Sequence, residues 1–291
     1  MTLSLIIPED TSNYILENYM DPSPIVSPFP DISSTFDQTL YNLIATRKKD
    51  NKNKNEHPPD LFLDVDECLG SFGAYSIICQ IYLQFSKTYP SIHTGIEHLS
   101  KGAFRPHLKQ FFEMISHLKE QKKIRHVNLF TSNKCYELIS HLKDCIEIFT
   151  KVPKGTIDHI FNPGNIDNVA FRNGRLIKDL NCGLGINEKC DNCIMIDDTP
   201  ENIIQKPNVI PIKPYKYYVY DKEIFQDASW WNEIEAIQFT IDPRKCSRTS
   251  KTFSTLQSLE YDKIVYGNTP CDFNDNQLQL MTDCLFLLFD F

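Results

Sequence analysis

The amino-acid sequence predicts an α/β fold, a doubly wound parallel sheet with a small helical insertion after its first strand. Short continuous apolar runs, suited to strands buried on both faces, recur from Asp60 onward, and amphipathic helical stripes separate them. Acidic residues stand where two of these runs end. Parallel sheets bind ligands at the carboxyl ends of their strands, so that is where function is expected.

The first strand is predicted within Asp60–Asp66, from Leu61, Phe62, Leu63 and Val65. Gly70 to Phe85 looks helical, and the stretch 70–104 forms the insertion. Between Pro106 and Gln121, Leu108, Phe111, Phe112, Ile115 and Leu118 recur at helical spacing, with Pro106 suited to the first turn. Val127–Thr131 follows as a second strand. Cys135, Leu138, Ile139 and Leu142 make another helical stripe, and Ile146–Phe149 is read as a third strand. Cys193–Asp197 and Val209–Ile212 supply two more.

Three regions are expected along the chain: residues 1–57, 58–215 and 216–291. The first contains Asp21-Pro-Ser-Pro-Ile-Val-Ser-Pro-Phe-Pro30, where each proline fixes φ and removes a donor, so it is read as an extended arm. Its Ser23-Pro24 and Ser27-Pro28 pairs are candidate kinase sites, although a stiff connector is the simpler reading. The Arg47–Lys54 run, interleaved with Asn and Asp, reads as a solvated linker. In the last region Trp230-Trp231 and Ile234–Ile241 suit a helix or an edge strand, and Gln277–Phe291 suits a terminal helix docked on the core. A partner-binding helix is the alternative there.

Composition excludes several classes. Of 291 residues, 41% are hydrophobic and 23% charged, as in a globular protein with a full core. A formal charge of −8 argues against a broad nucleic-acid-binding face. No apolar stretch approaches the roughly 20 residues of a membrane span, and the N-terminus lacks the basic region of a signal peptide. The ten cysteines are therefore expected to be reduced thiols in the cytosol or nucleus, packed as small hydrophobes. Cys190-Asp-Asn-Cys193 has half-knuckle spacing, but no second pair follows and zinc is not favoured.

Asp64 and Asp66 carry the chemistry. In an extended segment both side chains point to one side, so two carboxylates converge. Such a pair either binds a cation or raises one pKa. A carboxylate of ordinary pKa, about 3.9, can attack phosphorus at neutral pH. A partner of raised pKa can protonate the leaving group and then deprotonate water. Asp197-Asp198 ends another strand and is the expected complement for magnesium; the competing reading is a cap on a turn that begins at Pro200. Thr131 ends the second strand beside backbone N–H groups, an anion site in which Ser132 competes, or simply a helix cap. Lys178, between Ile177 and Asp179-Leu180, is a cation suited to balancing a transferred phosphoryl group.

The ordered set Asp64-Val-Asp-Glu-Cys-Leu69, Phe104-Arg-Pro-His-Leu108, Phe130-Thr-Ser132, Lys178-Asp-Leu180 and Ile196-Asp-Asp-Thr-Pro-Glu-Asn202 resembles the haloacid-dehalogenase superfamily. Within it, the set looks like the phosphatases of the RNA polymerase II C-terminal domain, over roughly residues 58–215. The resemblance implies a Rossmann-like sheet, a phosphoaspartate on Asp64, Asp66 as general acid and base, and Thr131 and Lys178 holding phosphoryl oxygens. It implies magnesium on the Asp64 side chain, the Asp66 carbonyl and Asp198, with Asp197 in support. Cys68 stands where the family commonly has Thr or Val. After Leu69 the chain lacks the Val-His-Ser-like run and β insertion that help those enzymes hold a peptide.

The expected function is therefore a magnesium-dependent phosphomonoesterase acting on phosphoserine or phosphothreonine in a protein. A phosphatase of small phosphorylated metabolites and a silent phosphoprotein-binding scaffold are the alternatives. Retention of every acidic and phosphate-contacting position argues against the scaffold.

Overall fold

The computed structural model describes residues 57–166, 170–172, 175–183, 192–205, 208–215 and 275–289. The proline-rich arm, the Arg47–Lys54 run, Cys190 and the Trp230–Ile241 stretch lie outside the described residues. Five strands form a parallel sheet: β1 (Asp60–Leu63), β2 (Val127–Phe130), β3 (His159–Phe161), β6 (Cys193–Asp197) and β7 (Val209–Pro211). Their order across the sheet is β3-β2-β1-β6-β7. The chain winds outward from β1 in one direction and returns to build the other half, so β1 and β6 meet at the topological switch point.

The strand residues alternate between two apolar clusters, as a pleated sheet requires. Leu61, Leu63, Leu129, Ile194 and Ile196 belong to the larger cluster. It also takes side chains from five helices: α1 (Gly73–Ser86), α2 (Ile92–Ser100), α3 (Leu108–Glu120), α4 (Tyr136–Thr150) and α5 (Gln277–Leu288). Phe62, Phe130 and Met195 enter the second cluster with Leu176, Leu180 and Ile203. On that face the described cover is not helical. It is a hairpin, β4 (Ala170–Arg172) paired antiparallel with β5 (Arg175–Ile177), and the short 3₁₀ turns Leu180–Gly183 and Pro200–Asn202.

The insertion after β1 is helical, as expected, but α1 and α2 are integrated into the main core. Tyr75, Cys79 and Leu99 lie in the same cluster as the sheet, and Tyr75 Oη lies 2.8 Å from His141 Nε2 of α4. At the far end, Leu278, Met281, Cys284, Leu285 and Leu288 of α5 share that cluster with α3.

Two strand assignments change. Ile146–Phe149 is the last turn of α4, not a strand; Leu138, Ile139, Leu142, Cys145 and Ile146 continue one buried stripe, while Ile148 is 58% exposed. The third strand is His159–Phe161, a three-residue edge strand. Helix α3 also starts two residues past Pro106, behind His107 in a left-handed conformation. Cys193 is disulfide-bonded, which departs from the expectation of reduced thiols. Cys68, Cys79, Cys135, Cys145 and Cys284 are thiols outside any disulfide.

Candidate active site

The switch point brings together what the sequence had scattered over some 135 positions. Asp64 directly follows β1, and its N–H donates to Ile196 O of β6 at 3.0 Å. Asp197 ends β6 one strand away. Lys178 reaches them from the hairpin side. Its backbone is clamped to the loop after β6, with Lys178 N donating to Asn202 O (2.8 Å) and Ile204 N donating to Lys178 O (3.0 Å). The side chain then spans the two acids: Nζ donates to Asp64 Oδ1 at 2.5 Å and to Asp197 Oδ2 at 2.6 Å. Lys178 is 3% exposed, so this is a desolvated, charge-assisted contact rather than a surface ion pair.

Asp197 is fully buried and fully used. Its other oxygen accepts from Thr199 N (2.7 Å) and Thr199 Oγ1 (3.0 Å), which holds the following turn. Thr199 is the N-cap of the turn that begins at Pro200, as one of the two capping alternatives had it, without a side-chain cap bond, and Asp198 remains half-buried beside Asp64. Asp64, Asp197 and Asp198 each turn one carboxylate oxygen toward a common point, the three atoms lying within 4.8 Å of one another.

Three carboxylates face a single ammonium here, and burial together with the surplus negative charge shows in the acidities of Asp64 and Asp198. Burial, reinforced by Asp197 and Asp198, drives the Asp64 carboxyl well above the ordinary range, against the lowering pull of Lys178. The same desolvation raises Asp198. A hard divalent cation fits these carboxylate oxygens, and its charge would favour their ionised forms.

Asp66 sits on the turn that leaves the strand. Burial, the Glu67 charge and Asp198 raise its pKa to about 6, with Lys178 pulling the other way. The turn is pinned by Glu67 N donating to Gly70 O (2.7 Å) and Leu69 N to Val65 O (3.0 Å). Gly70 has no alternative, since a Cβ there would collide with the Ala103 carbonyl oxygen and the Phe72 ring. Cys68 is fully buried with its thiol pKa driven up by desolvation, an inert packing residue rather than a nucleophile.

Thr131 is buried at the end of β2, the neighbour of β1. Its Oγ1 accepts from Asn133 N at 3.1 Å, which leaves its proton to donate. Helix α4 begins only at Tyr136, so the residues 131–135 form a loop and Thr131 is not that helix's cap. Thr131 lies on the strand beside the acidic cluster, while the direct contacts join Asp64, Lys178 and Asp197. Arg105 is the buried residue that the site-directed reading of the sequence passed over; its only sequence signal was a charged residue inside the apolar Phe104-Arg-Pro-His-Leu motif.

A family profile described as NLI interacting factor-like phosphatase matches residues 59–239, more than half of the chain. A search among curated proteins returns no match. No helix among the described residues is long and apolar enough to cross a membrane.

Proposed function

Since the chain belongs to the NLI interacting factor-like phosphatases, we propose that it removes phosphate from phosphoserine or phosphothreonine in a protein, through a phosphoaspartate on Asp64. The observation that carries this reading is the buried Lys178, held at 2.5 and 2.6 Å between Asp64 and Asp197 at the switch point of the sheet. An ammonium so fixed keeps the attacking carboxylate in place and can pass to phosphoryl oxygens without reorganising.

In this reading an Asp64 oxygen attacks phosphorus as the phosphorus–oxygen bond to the substrate breaks. Protonated Asp66 gives its proton to the departing alkoxide. Ionised Asp66 then takes a proton from the water that hydrolyses the acyl phosphate and frees Asp64. The Thr131 hydroxyl donates to a phosphoryl oxygen. Asp64 and Asp198, with the Asp66 carbonyl, hold magnesium, and Asp197 supports by fixing Lys178. Magnesium, when bound, neutralises charge on the phosphoryl oxygens.

The packing of α1 and α2 bears on the substrate. Helices embedded in the core with Tyr75, Cys79 and Leu99 do not form a separate cap that closes over a small molecule. That supports a macromolecular phosphate ester, such as the phosphorylated C-terminal domain of RNA polymerase II, over a metabolite. The test is turnover of phosphopeptides and of a chromogenic phosphate monoester, with magnesium and with chelator. The reading expects chelator-sensitive turnover and a kcat/KM at least tenfold higher on phosphopeptides. Turnover that survives chelation removes the metal from the reaction, and a preference for small esters removes the protein substrate.

The acidity of Asp66 sets the pH profile. Its first chemical role needs the protonated form, whose population falls as pH rises through about 6. A cation bound alongside lowers that value further. We therefore expect kcat/KM to fall about tenfold per pH unit above pH 6, the slope of a single ionisation, and Asp66→Asn to flatten that limb. A wild-type profile that is level from pH 6 to 8.5 would overturn the assignment.

A further inference from the structure

Arg105 and Asp275 lie 170 positions apart and form a buried strut behind the catalytic turn. Every N–H of the Arg105 guanidinium has an acceptor, five donors for five bonds. Nε and Nη2 donate to the two oxygens of Asp275, at 3.1 and 2.8 Å. Nη2 also donates to Lys213 O at 2.6 Å, beyond β7. Nη1 donates to Glu67 O and Cys68 O, both at 3.1 Å, on the turn that immediately follows Asp66. Asp275 Oδ1 further accepts from Gln277 N (2.9 Å) at the start of α5.

The turn that Arg105 grips has two backbone hydrogen bonds of its own, but they leave the Glu67 and Cys68 carbonyls to be held from outside. Glu67 has a φ of 61°, a left-handed conformation that a residue with a Cβ adopts only when its surroundings enforce it. Its carbonyl is held from two sides, by Arg105 and by Tyr215 N at 2.7 Å. A buried guanidinium, in turn, keeps its place only while its charge is compensated, and Asp275 supplies both oxygens of a bidentate pair. Asp275 lies in the C-terminal segment, beyond the family-matched stretch of the chain.

We propose that Asp275 is a positioning residue: through Arg105 it locks the Glu67–Cys68 backbone and thereby aims the Asp66 carboxyl at the leaving group. The C-terminal segment is then a working part of the active site although it touches no substrate. This rests on the general-acid role proposed for Asp66.

The discriminating measurement is the dependence of kcat/KM on the leaving group in the full-length protein with magnesium. Phenoxide needs a proton to depart, whereas dinitrophenoxide leaves as a stable anion. With Asp275→Asn we expect kcat/KM on phenyl phosphate to fall roughly 10- to 100-fold, within the usual range for general-acid catalysis, and on 2,4-dinitrophenyl phosphate by less than about threefold. Thr282→Ala loosens the same helix, where Thr282 Oγ1 donates to Leu278 O, and leaves Arg105 untouched. It should lower both substrates equally or not at all. Rates are taken well below the melting temperature, with the folded fraction checked by circular dichroism. Equal losses on both esters in Asp275→Asn, or none, overturn the strut. If Asp66→Asn itself shows no leaving-group selectivity, the general-acid reading fails and the strut falls with it.

Discussion

Asp64→Asn is expected to abolish turnover, by roughly four decades or more, as when a covalent nucleophile is removed. The amide has no lone pair of comparable nucleophilicity, yet its oxygen still accepts from Lys178 Nζ at the position where Asp64 Oδ1 now lies at 2.5 Å. Loss of activity should therefore come without loss of fold. Stability should move the other way. The folded-state pKa of Asp64 is raised, so in metal-free protein its ionisation opposes folding. That penalty sets in as pH rises above the unfolded value, about 3.9, and is complete above the raised folded value. In chelator at pH 7.5 the variant should melt at the wild-type temperature or higher. It should also respond less to magnesium, because a ligand is gone and ligand-linked stabilisation shrinks with it. The measurements are phosphopeptide turnover and thermal melts with and without magnesium. Turnover within tenfold of wild type would remove Asp64 as nucleophile, whatever the melts show.

How far the sequence led can be judged from particular elements. β1 was legible because a strand buried on both faces must be continuously apolar, and Asp64 marks where that run meets solvent-side chemistry. α3 was legible because Leu108, Phe111, Phe112, Ile115 and Leu118 recur on one face, and all five are buried. The end of α4 was not, since a four-residue apolar run such as Ile146–Phe149 fits a strand as well as a helix; the unbroken stripe from Leu138 to Ile146 was the signal that decides. β3 escaped because an edge strand of three residues shows only one fully buried side chain. The β4–β5 hairpin had a readable marker, Asn173-Gly174 between two short apolar segments.

The site divides in the same way. Residues at strand ends, Asp64, Asp197 and Asp198, announce themselves because the sheet fixes where strand ends go. Lys178 could be read as a candidate cation from its apolar flanks, but its approach to the acids could not, since that depends on a backbone clamp to Asn202 and Ile204 that no local pattern encodes. Arg105 and Asp275 are further still from legibility: their pairing spans the chain, and neither residue has a neighbour in sequence that hints at the other.

Lys178→Met tests how the charges of the site are balanced. The ammonium is buried between Asp64 and Asp197, and their carboxylates raise its pKa above the ordinary lysine value in spite of burial. A lysine with a raised folded pKa contributes stability that is fully present below its unfolded value, about 10.4, and is lost only as pH climbs through the folded one. Across pH 5 to 9 Lys178 therefore stays charged, and removing it leaves two buried carboxylates facing each other. Breaking one partner of such a group costs about 3–5 kcal/mol, on the order of 10 °C in melting temperature for a domain of this size. The deficit should shrink as pH falls, because Asp64, whose carboxyl burial holds well above the ordinary range, then takes up a proton, and magnesium should restore part of it at pH 7.5. Because the damage is electrostatic, Asp64→Asn should stabilise the Lys178→Met protein by more than it stabilises the wild type, the non-additivity expected of groups in contact or in one network. A melt of the single variant at the wild-type temperature in chelator, or strictly additive effects in the double variant, would show that Lys178 does not hold these acids together. The same variant should lose about 10²- to 10³-fold in turnover even at temperatures where it is folded, the usual consequence of removing one fixed donor to a developing charge.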